Sequence, residues 1–205
     1  MGRGAMRRED LKRQVAISLF CAFAREGRGR YALAWEQPAY VCLSGRHREI
    51  LFGNQPAETV FISGTRGTKR QIPVMEQEAE RSLLRISFSE ALQLGIKGLK
   101  LPGAGWRDSA ACVLYGPEGK VTLESGVEPH CRHLHISPEH AKLYGLNPED
   151  RVWAVIKSET RSLTFGNVNI QLDDQCSLEL HLDTDEARAA GLTNGQCVEI
   201  VTEAP

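Results

Sequence analysis

Three histidines in the second half of the chain have the type and spacing of a metal site. His133 and His135 lie two residues apart in a tract without helical periodicity, and His181 lies in a later apolar segment. Because residues i and i+2 of a strand point to the same face, the first two imidazoles would lie side by side. Three imidazoles with a fourth position left open form a catalytic type of zinc site. We therefore predict a zinc site at His133, His135 and His181.

An internal repeat predicts which residues stand at the equivalent positions of another copy. Three pairs of segments are similar: 85–96 and 181–192, 40–44 and 133–137, and 61–67 and 113–119. In this register, each of the three histidines has a different counterpart: His133 matches Tyr40, His135 matches Cys42 and His181 matches Arg85. We therefore expect one copy to hold a metal and the other copy to lack the ligands for one.

The bulk composition excludes several classes of protein. The 205 residues carry a net charge of −1 with mixed signs, which gives no electrostatic support for binding nucleic acid or a membrane surface. No apolar run reaches about 18 residues, and no h-region follows the N-terminus, so a secretory leader is not expected. The six cysteines lack a Cys-x-x-Cys spacing and are expected to be reduced thiols. A soluble cytoplasmic protein is predicted.

The N-terminal segment has the pattern of an amphipathic helix. Leu11, Val15, Leu19 and Phe23 recur every four residues, with basic residues between them, over a predicted helix at 7–25. Two interpretations stay open. The helix packs on the body of the protein or on a second subunit of a homo-oligomer, or it is a detachable targeting or partner-binding helix.

The rest of the chain has the pattern of a mainly β protein, with two related small β-barrels from the internal repeat. The predicted strands are 39–43, 59–62, 71–74, 83–87, 111–114, 121–123, 132–136, 151–155, 168–171, 178–182 and 197–201. Short helices are predicted at 89–94, 138–144 and 184–190. The predicted domains are an N-terminal helix and linker at 1–30, a degenerate barrel at 31–105 and a three-histidine barrel at 106–205, joined near the glycine-rich stretch 98–109.

Several ordered motifs together resemble the phosphate propanoyltransferase family. They are the run Cys-Arg-His-Leu-His-Ile-Ser-Pro at 131–138, Gly-Pro-Glu-Gly at 116–119 with Val-Thr-Leu at 121–123, and Leu-His-Leu-Asp-Thr-Asp-Glu-Ala at 180–187. The resemblance runs from about residue 39 to residue 201.

The resemblance implies a fold, a reaction and ligands. Members of the family have two related β-barrels and exchange coenzyme A for phosphate on short acyl groups such as propanoyl. They hold two zinc ions in a cleft between the barrels, and the ligands of one ion map onto the three histidines already named. Family contacts to coenzyme A fall at Arg66 and Arg188. Some members carry an N-terminal helix that directs them into a bacterial microcompartment, which the segment 7–25 resembles.

At the second zinc site this chain departs from the family. The His-x-His pair becomes Tyr40 and Cys42, the glutamate ligand becomes Arg85, and the arginine that holds phosphate becomes Ala79. A rival register, through the run Ser-Gly-Arg-His at 44–47, would offer a ligand pair on a strand, His47 and Glu49. We favour the first register because it agrees with the internal repeat.

Two functional hypotheses follow from these residues. In the first, the protein is a zinc-dependent phosphate acyltransferase in which Arg85, or as a further candidate Arg81, holds the phosphate. In the second, it is a catalytically impaired relative with one structural zinc that binds a partner or a microcompartment. A different reaction at a single zinc would need a general base, for which Glu186, Asp183 and His140 are candidates by position. Asp185 is expected to cap the helix that follows His181.

Overall fold

The computed structural model describes residues 30–76, 79–100, 109–175 and 178–205. In these ranges the chain forms twelve strands and four short helices, which confirms the prediction of a mainly β protein. The predicted helix at 7–25 lies outside the described residues. Within them, no helix combines the length and the apolar character needed to span a membrane.

The strands follow the predicted pattern with one addition. They are β1 (Arg30–Gln37), β2 (Tyr40–Cys42), β3 (Thr59–Ser63), β4 (Lys69–Pro73), β5 (Leu83–Ile86), β6 (Ala110–Tyr115), β7 (Lys120–Pro129), β8 (His133–Ile136), β9 (Arg151–Ile156), β10 (Leu163–Leu172), β11 (Leu178–Asp183) and β12 (Gln196–Val201). The helices are α1 (Gly45–Phe52), α2 (Phe88–Leu94), α3 (Pro138–Tyr144) and α4 (Thr184–Ala190). Strand β1 and helix α1 were not predicted.

The chain divides into two compact units. The first unit comprises the described residues of 38–131, and the second unit comprises 30–37 together with the described residues of 132–205. The second unit is a closed barrel with strand order β1-β11-β8-β10-β9-β12. Its cluster of buried apolar side chains includes Leu134, Ile136, Leu180 and Leu182, each at 0% exposure. Their alternation along β8 and β11 leaves the intervening residues on the outer face of the barrel.

The first unit repeats this topology. Its strand order is β2-β5-β7-β6-β3-β4, and an isolated parallel bridge between Val41 and Val74 connects β2 to the chain that leaves β4. In the second unit β8 likewise pairs parallel with β10. Matching the two strand orders makes β2 to β6 the counterparts of β8 to β12, and β7 the counterpart of β1. The sixth strand of the second unit therefore precedes the whole first unit in sequence.

This arrangement differs from the expected boundary at residues 105 and 106. The structure places β6 and β7 with the first unit, because β6 pairs with β3 and β7 pairs with β5. It places β1 with the second unit, because β1 pairs with β11 and β12. The first unit thus takes two strands, and the second unit takes one strand, from beyond the expected boundary.

One of the three repeat matches is wrong. The segments 61–67 and 113–119 were expected to be counterparts in different copies. Instead, β3 and β6 are neighbouring antiparallel strands of the first unit, with Phe61 opposite Tyr115. Both segments are strands followed by glycine-containing turns, so their similarity reflects local strand-and-turn chemistry rather than equivalence.

Candidate metal centre

The three histidines converge on the outer face of the second unit. Strands β8 and β11 pair antiparallel with His133 opposite His181, while Leu134 and Leu180 beside them point into the core. His135 lies on the same face as His133, and their Nε2 atoms are 3.0 Å apart. One ligand atom from each histidine lies within 4.8 Å of the other two. The predicted grouping of the three imidazoles is therefore what the structure shows.

The donor set fits a zinc ion. Zn–N bonds of about 2.0–2.1 Å at tetrahedral angles separate two ligand nitrogens by about 3.3 Å, close to the distance between the two Nε2 atoms. Nδ1 of His181 is buried and has no hydrogen-bond partner among the described residues. A buried imidazole nitrogen without a partner is costly, and a bound metal ion is one way for such a cluster to be satisfied.

Asp173 supports one of the predicted ligands. Its Oδ2 atom lies 2.9 Å from Nδ1 of His135. The backbone N–H of Asp173 donates to the carbonyl of Ile136, at the end of the parallel β8–β10 pair. A carboxylate that accepts from Nδ1–H leaves the lone pair on Nε2, which is the nitrogen that faces His133. Asp173 therefore favours the tautomer of His135 in which Nε2 could bind a metal ion.

Glu179 adds a second carboxylate beside the cluster. It lies on β11 opposite His135 and is only 8% exposed. Its Oε2 atom is 3.6 Å from Nε2 of His181. Two carboxylates next to three imidazoles make this face a favourable place for a cation. Neither carboxylate was predicted from the sequence. Glu179 could have been predicted, because it lies two residues before His181 on the same face of a predicted strand.

The expectation that Asp185 caps the helix after His181 is wrong. Asp183 is the N-cap of α4, where its side chain accepts from the backbone N–H of Glu186 in a capping box. Glu186 also forms an ion pair with Arg132, with an O···N distance of 2.9 Å. Burial raises the pKa of the Glu186 carboxyl, and the Arg132 charge opposes that change. Because Asp183 and Glu186 form the capping box and Glu186 also pairs with Arg132, neither carboxylate is favoured as a general base.

The first unit holds a different set of side chains at the equivalent position. Tyr40 lies opposite Arg85 in the β2–β5 pair, as His133 lies opposite His181 in the β8–β11 pair. Nη1 of Arg85 is 3.0 Å from Oε2 of Glu128 and donates to the carbonyl of Pro129 at 3.2 Å. The register of these pairs agrees with the register favoured from the repeat.

Tyr40 and Cys42 are neutral side chains in this position. Burial raises the pKa of the Tyr40 phenol, with a smaller opposing effect from the Arg85 charge. Burial likewise raises the pKa of the Cys42 thiol, again opposed by Arg85. The Tyr40 ring lies 5.2 Å from the ring of His130, centroid to centroid. A neutral phenol and a neutral thiol are weak metal ligands.

The rival pair of ligands is separated by helical geometry. His47 and Glu49 lie in α1 rather than on a strand, and residues i and i+2 of a helix do not face each other. Nδ1 of His47 is 2.8 Å from the Ser82 hydroxyl oxygen. In the second unit, Nδ1 of His140 is similarly 2.9 Å from the hydroxyl oxygen of Ser137. These histidines belong to matching helix starts, not to a metal site.

The remaining predicted site residues are distributed over both units. Arg66 is exposed in the turn after β3, in the first unit, and Arg188 is exposed in the last turn of α4, in the second unit. Ala79 uses its backbone N–H to donate to the carbonyl of Leu43, at 3.2 Å. Arg81 is exposed between Ala79 and β5.

The chain is thus a protein of two topologically equivalent β units, one of which carries three clustered histidines that could hold a metal ion. Comparison with known proteins identifies the family. The family model described as phosphate propanoyltransferase matches residues 52–193. The chain belongs to the phosphate propanoyltransferase family, whose members are acyltransferases.

Curated relatives with that name agree over most of the chain. The chain is 34% identical over 178 residues to the phosphate propanoyltransferase of Thermotoga maritima, covering 79% of this chain and 85% of the relative. It is 33% identical to the one from Planctopirus limnophila, covering 79% and 73%. It is 32% identical to the one from Citrobacter freundii, covering 78% and 87%.

Proposed function

We propose that this protein is a zinc-dependent phosphate acyltransferase that exchanges coenzyme A and phosphate on a short acyl group such as propanoyl. The observation that carries the proposal is the three-histidine cluster, with Asp173 behind His135, in a chain of this family. Acyl-coenzyme A and phosphate are the substrates that membership implies.

The reaction requires a phosphate oxygen to attack the thioester carbonyl carbon, after which the thiolate of coenzyme A leaves. A zinc ion bound by His133, His135 and His181 would supply a Lewis acid for the carbonyl oxygen. The role of the imidazoles is to hold that ion, with the tautomer of His135 fixed by Asp173. Orienting the imidazoles in advance lowers the reorganisation needed during the reaction.

Arg85 is proposed to hold the phosphate. A guanidinium group has five N–H donors and suits tetrahedral oxyanions. The contacts with Glu128 and Pro129 both use Nη1, so other donors of the same group are available for an anion. Arg66 and Arg188, both exposed, are proposed to pair with the phosphates of coenzyme A.

The test is an acyl-transfer assay that follows both products. Zinc-loaded protein with propanoyl-coenzyme A should release thiol only when phosphate is present, and should form propanoyl phosphate in equal amount. His133→Ala should lower the rate by at least about 100-fold, whereas His140→Ala, which removes an imidazole outside the cluster, should retain it. Thiol release without phosphate would instead indicate a hydrolase.

A second candidate function is a catalytically impaired relative with one structural zinc. Two observations favour it: Arg85 is already engaged by Glu128, and Ala79 stands where the family has its phosphate-binding arginine. A structural zinc contributes directly to folding free energy. Chelation would then lower the melting temperature of a protein that shows no turnover.

The segment 7–25 is proposed to direct the protein to a bacterial microcompartment. The support is its amphipathic pattern, with Leu11, Val15, Leu19 and Phe23 on one side and basic residues between them. Residues 1–30 fused to a fluorescent protein should be retained in purified microcompartments. Leu19→Glu, which places a charge in the middle of the apolar stripe, should abolish that retention. Equal retention of both fusions would contradict the proposal.

A further inference from the structure

The first unit has an ion pair where its counterpart has the metal-binding face. The equivalence rests on two registers in each unit. Arg85 lies opposite Tyr40 on one side and beside Glu128 on the other. Correspondingly, His181 lies opposite His133 on one side and beside Trp35 on the other. Arg85 thus replaces a histidine of the repeat, and Glu128 replaces the tryptophan.

We infer that the Arg85–Glu128 ion pair takes the place of a metal ion in the first unit, so that the protein binds one zinc ion per chain rather than two. The two charged side chains are 23% and 15% exposed, and their closest atoms are 3.0 Å apart. A pair this shielded from water is not a solvated surface contact. It fixes a positive group at the position where a divalent cation would have to bind.

The chemistry of the neighbouring side chains also disfavours a metal ion in the first unit. A guanidinium has no lone pair to offer a metal and keeps its charge throughout the accessible pH range. The phenol of Tyr40 and the thiol of Cys42 have raised pKa values and would have to lose a proton before binding. Within the ranges that the structure describes, the three histidines of the second unit form the one group of three potential ligands.

The inference concerns metal content and depends on the proposed function only for the zinc in the second unit. The zinc content of dialysed protein should be measured by mass spectrometry for the wild type, for His135→Ala and for a triple variant. The triple variant, Tyr40→His with Cys42→His and Arg85→His, copies the histidine set into the first unit. We expect one zinc ion per chain in the wild type, none in His135→Ala and two in the triple variant.

The inference would be overturned if the wild type binds two zinc ions and one of them is bound in the first unit. That ion would persist in His135→Ala and would be lost in Cys42→Ala. A folded triple variant that gains no zinc would also contradict it, because the equivalent position would then not form a ligand set. A wild type without zinc would overturn the count of one zinc ion per chain and reject the proposed zinc site. One zinc ion in the triple variant of that protein would still support the ion pair as the replacement for a metal in the first unit.

A stability measurement keeps the inference testable if the triple variant does not fold. Arg85→Met leaves the Glu128 carboxylate shielded without its partner and should lower the melting temperature by several degrees. Adding Glu128→Gln should recover part of that loss. Arg46→Met, at an exposed arginine of helix α1 in the first unit, is the matched control. An Arg85→Met variant as stable as this control would overturn the inference.

Discussion

At the residue scale, the proposed metal centre would depend on side chains that do not themselves bind the metal. His135 has two ring nitrogens, and a hydrogen bond to the Asp173 carboxylate favours the tautomer that carries the proton on Nδ1. Without that carboxylate, the ring could present Nε2–H to the cluster and would have to change tautomer before binding. Its neighbour Asp174 is exposed and makes a suitable comparison.

Replacing Asp173 by Asn should weaken zinc binding by about 10–100-fold, which is the usual effect of losing such a support. The dissociation constant can be measured by competition with a chromophoric chelator. Asp174→Asn should leave it unchanged. Equal affinities for wild type and Asp173→Asn would show that the carboxylate does not orient His135.

Cys112 gives the molecule a specific sensitivity to alkaline pH. Burial in the core of the first unit raises the pKa of this thiol to about 12. In the unfolded chain a thiol has a pKa of about 8.5, so the unfolded state binds fewer protons between these values. Its contribution to stability is therefore complete below about pH 8.5 and is lost as the pH rises towards 12, at up to about 1.4 kcal/mol per pH unit.

The prediction for Cys112→Ala is a shallower loss of stability above about pH 9 than in the wild type. Urea denaturation at several pH values would give the free energy of unfolding for both proteins. The difference in slope is the quantity to compare, since the substitution also leaves a small cavity. Equal pH dependence of the free energy of unfolding in both proteins would contradict a raised pKa of the Cys112 thiol.

At the scale of the element, helix α4 fixes where strand β11 ends. Asp183 is both the last residue of β11 and the N-cap of α4, two positions after His181. Its capping box with Glu186 satisfies backbone N–H groups that would otherwise lack a partner at the helix start. Helix α2 has the same device in Ser87 and Glu90, at the end of β5.

Replacing Asp183 should lower the free energy of unfolding more than replacing Asp185. Asp183→Ala should lower the free energy of unfolding by about 0.5–2 kcal/mol, measured by chemical denaturation. Asp185→Ala, in the first turn of the same helix, should lower it by about 0.3–1 kcal/mol through the helix dipole. The reverse order of the two effects would show that Asp185 is the functional cap.

Strand β1 and helix α1 show where sequence patterns stop being informative. Strand β1 has buried apolar residues on both faces, with Ala32 at 0% exposure on one face and Leu33 at 6% on the other, so it lacks the alternation that reveals a half-buried strand. Helix α1 begins with the polar run Gly-Arg-His-Arg-Glu and buries only Leu51 and Phe52. Its short apolar face gives no helical period, although Ser44 before it was a usable cap signal.

At the scale of the whole molecule, the order of the strands was the feature that local patterns could not supply. The three histidines could be grouped from their spacing and strand context, and the repeat predicted the residues at the equivalent site. Asp173 could not be found in this way, because it reaches His135 only through the parallel pairing of β8 with β10. Similarly, nothing local indicates that β1 completes a barrel whose other strands begin at residue 133.

The permuted order can be tested through Ala34. This residue is fully buried in the second unit, and its neighbour Trp35 pairs with His181. Ala34→Asp would bury an unpaired carboxylate at a cost of several kcal/mol. We expect loss of zinc binding, measured by competition with a chelator. Ala111→Asp, at an exposed position of β6 in the first unit, should bind zinc normally. Retained binding in Ala34→Asp would contradict the role given to β1.

Zinc-dependent acyl transfer is tested most directly by a zinc titration of metal-free wild-type protein, followed by phosphate-dependent release of thiol from propanoyl-coenzyme A. The three-histidine centre predicts that turnover is absent without zinc, rises in proportion to added zinc, and stops rising at one ion per chain. The same titration of His135→Ala should give no turnover. Full turnover by metal-free protein, or none from folded protein that carries its zinc, would contradict a zinc-dependent phosphate acyltransferase.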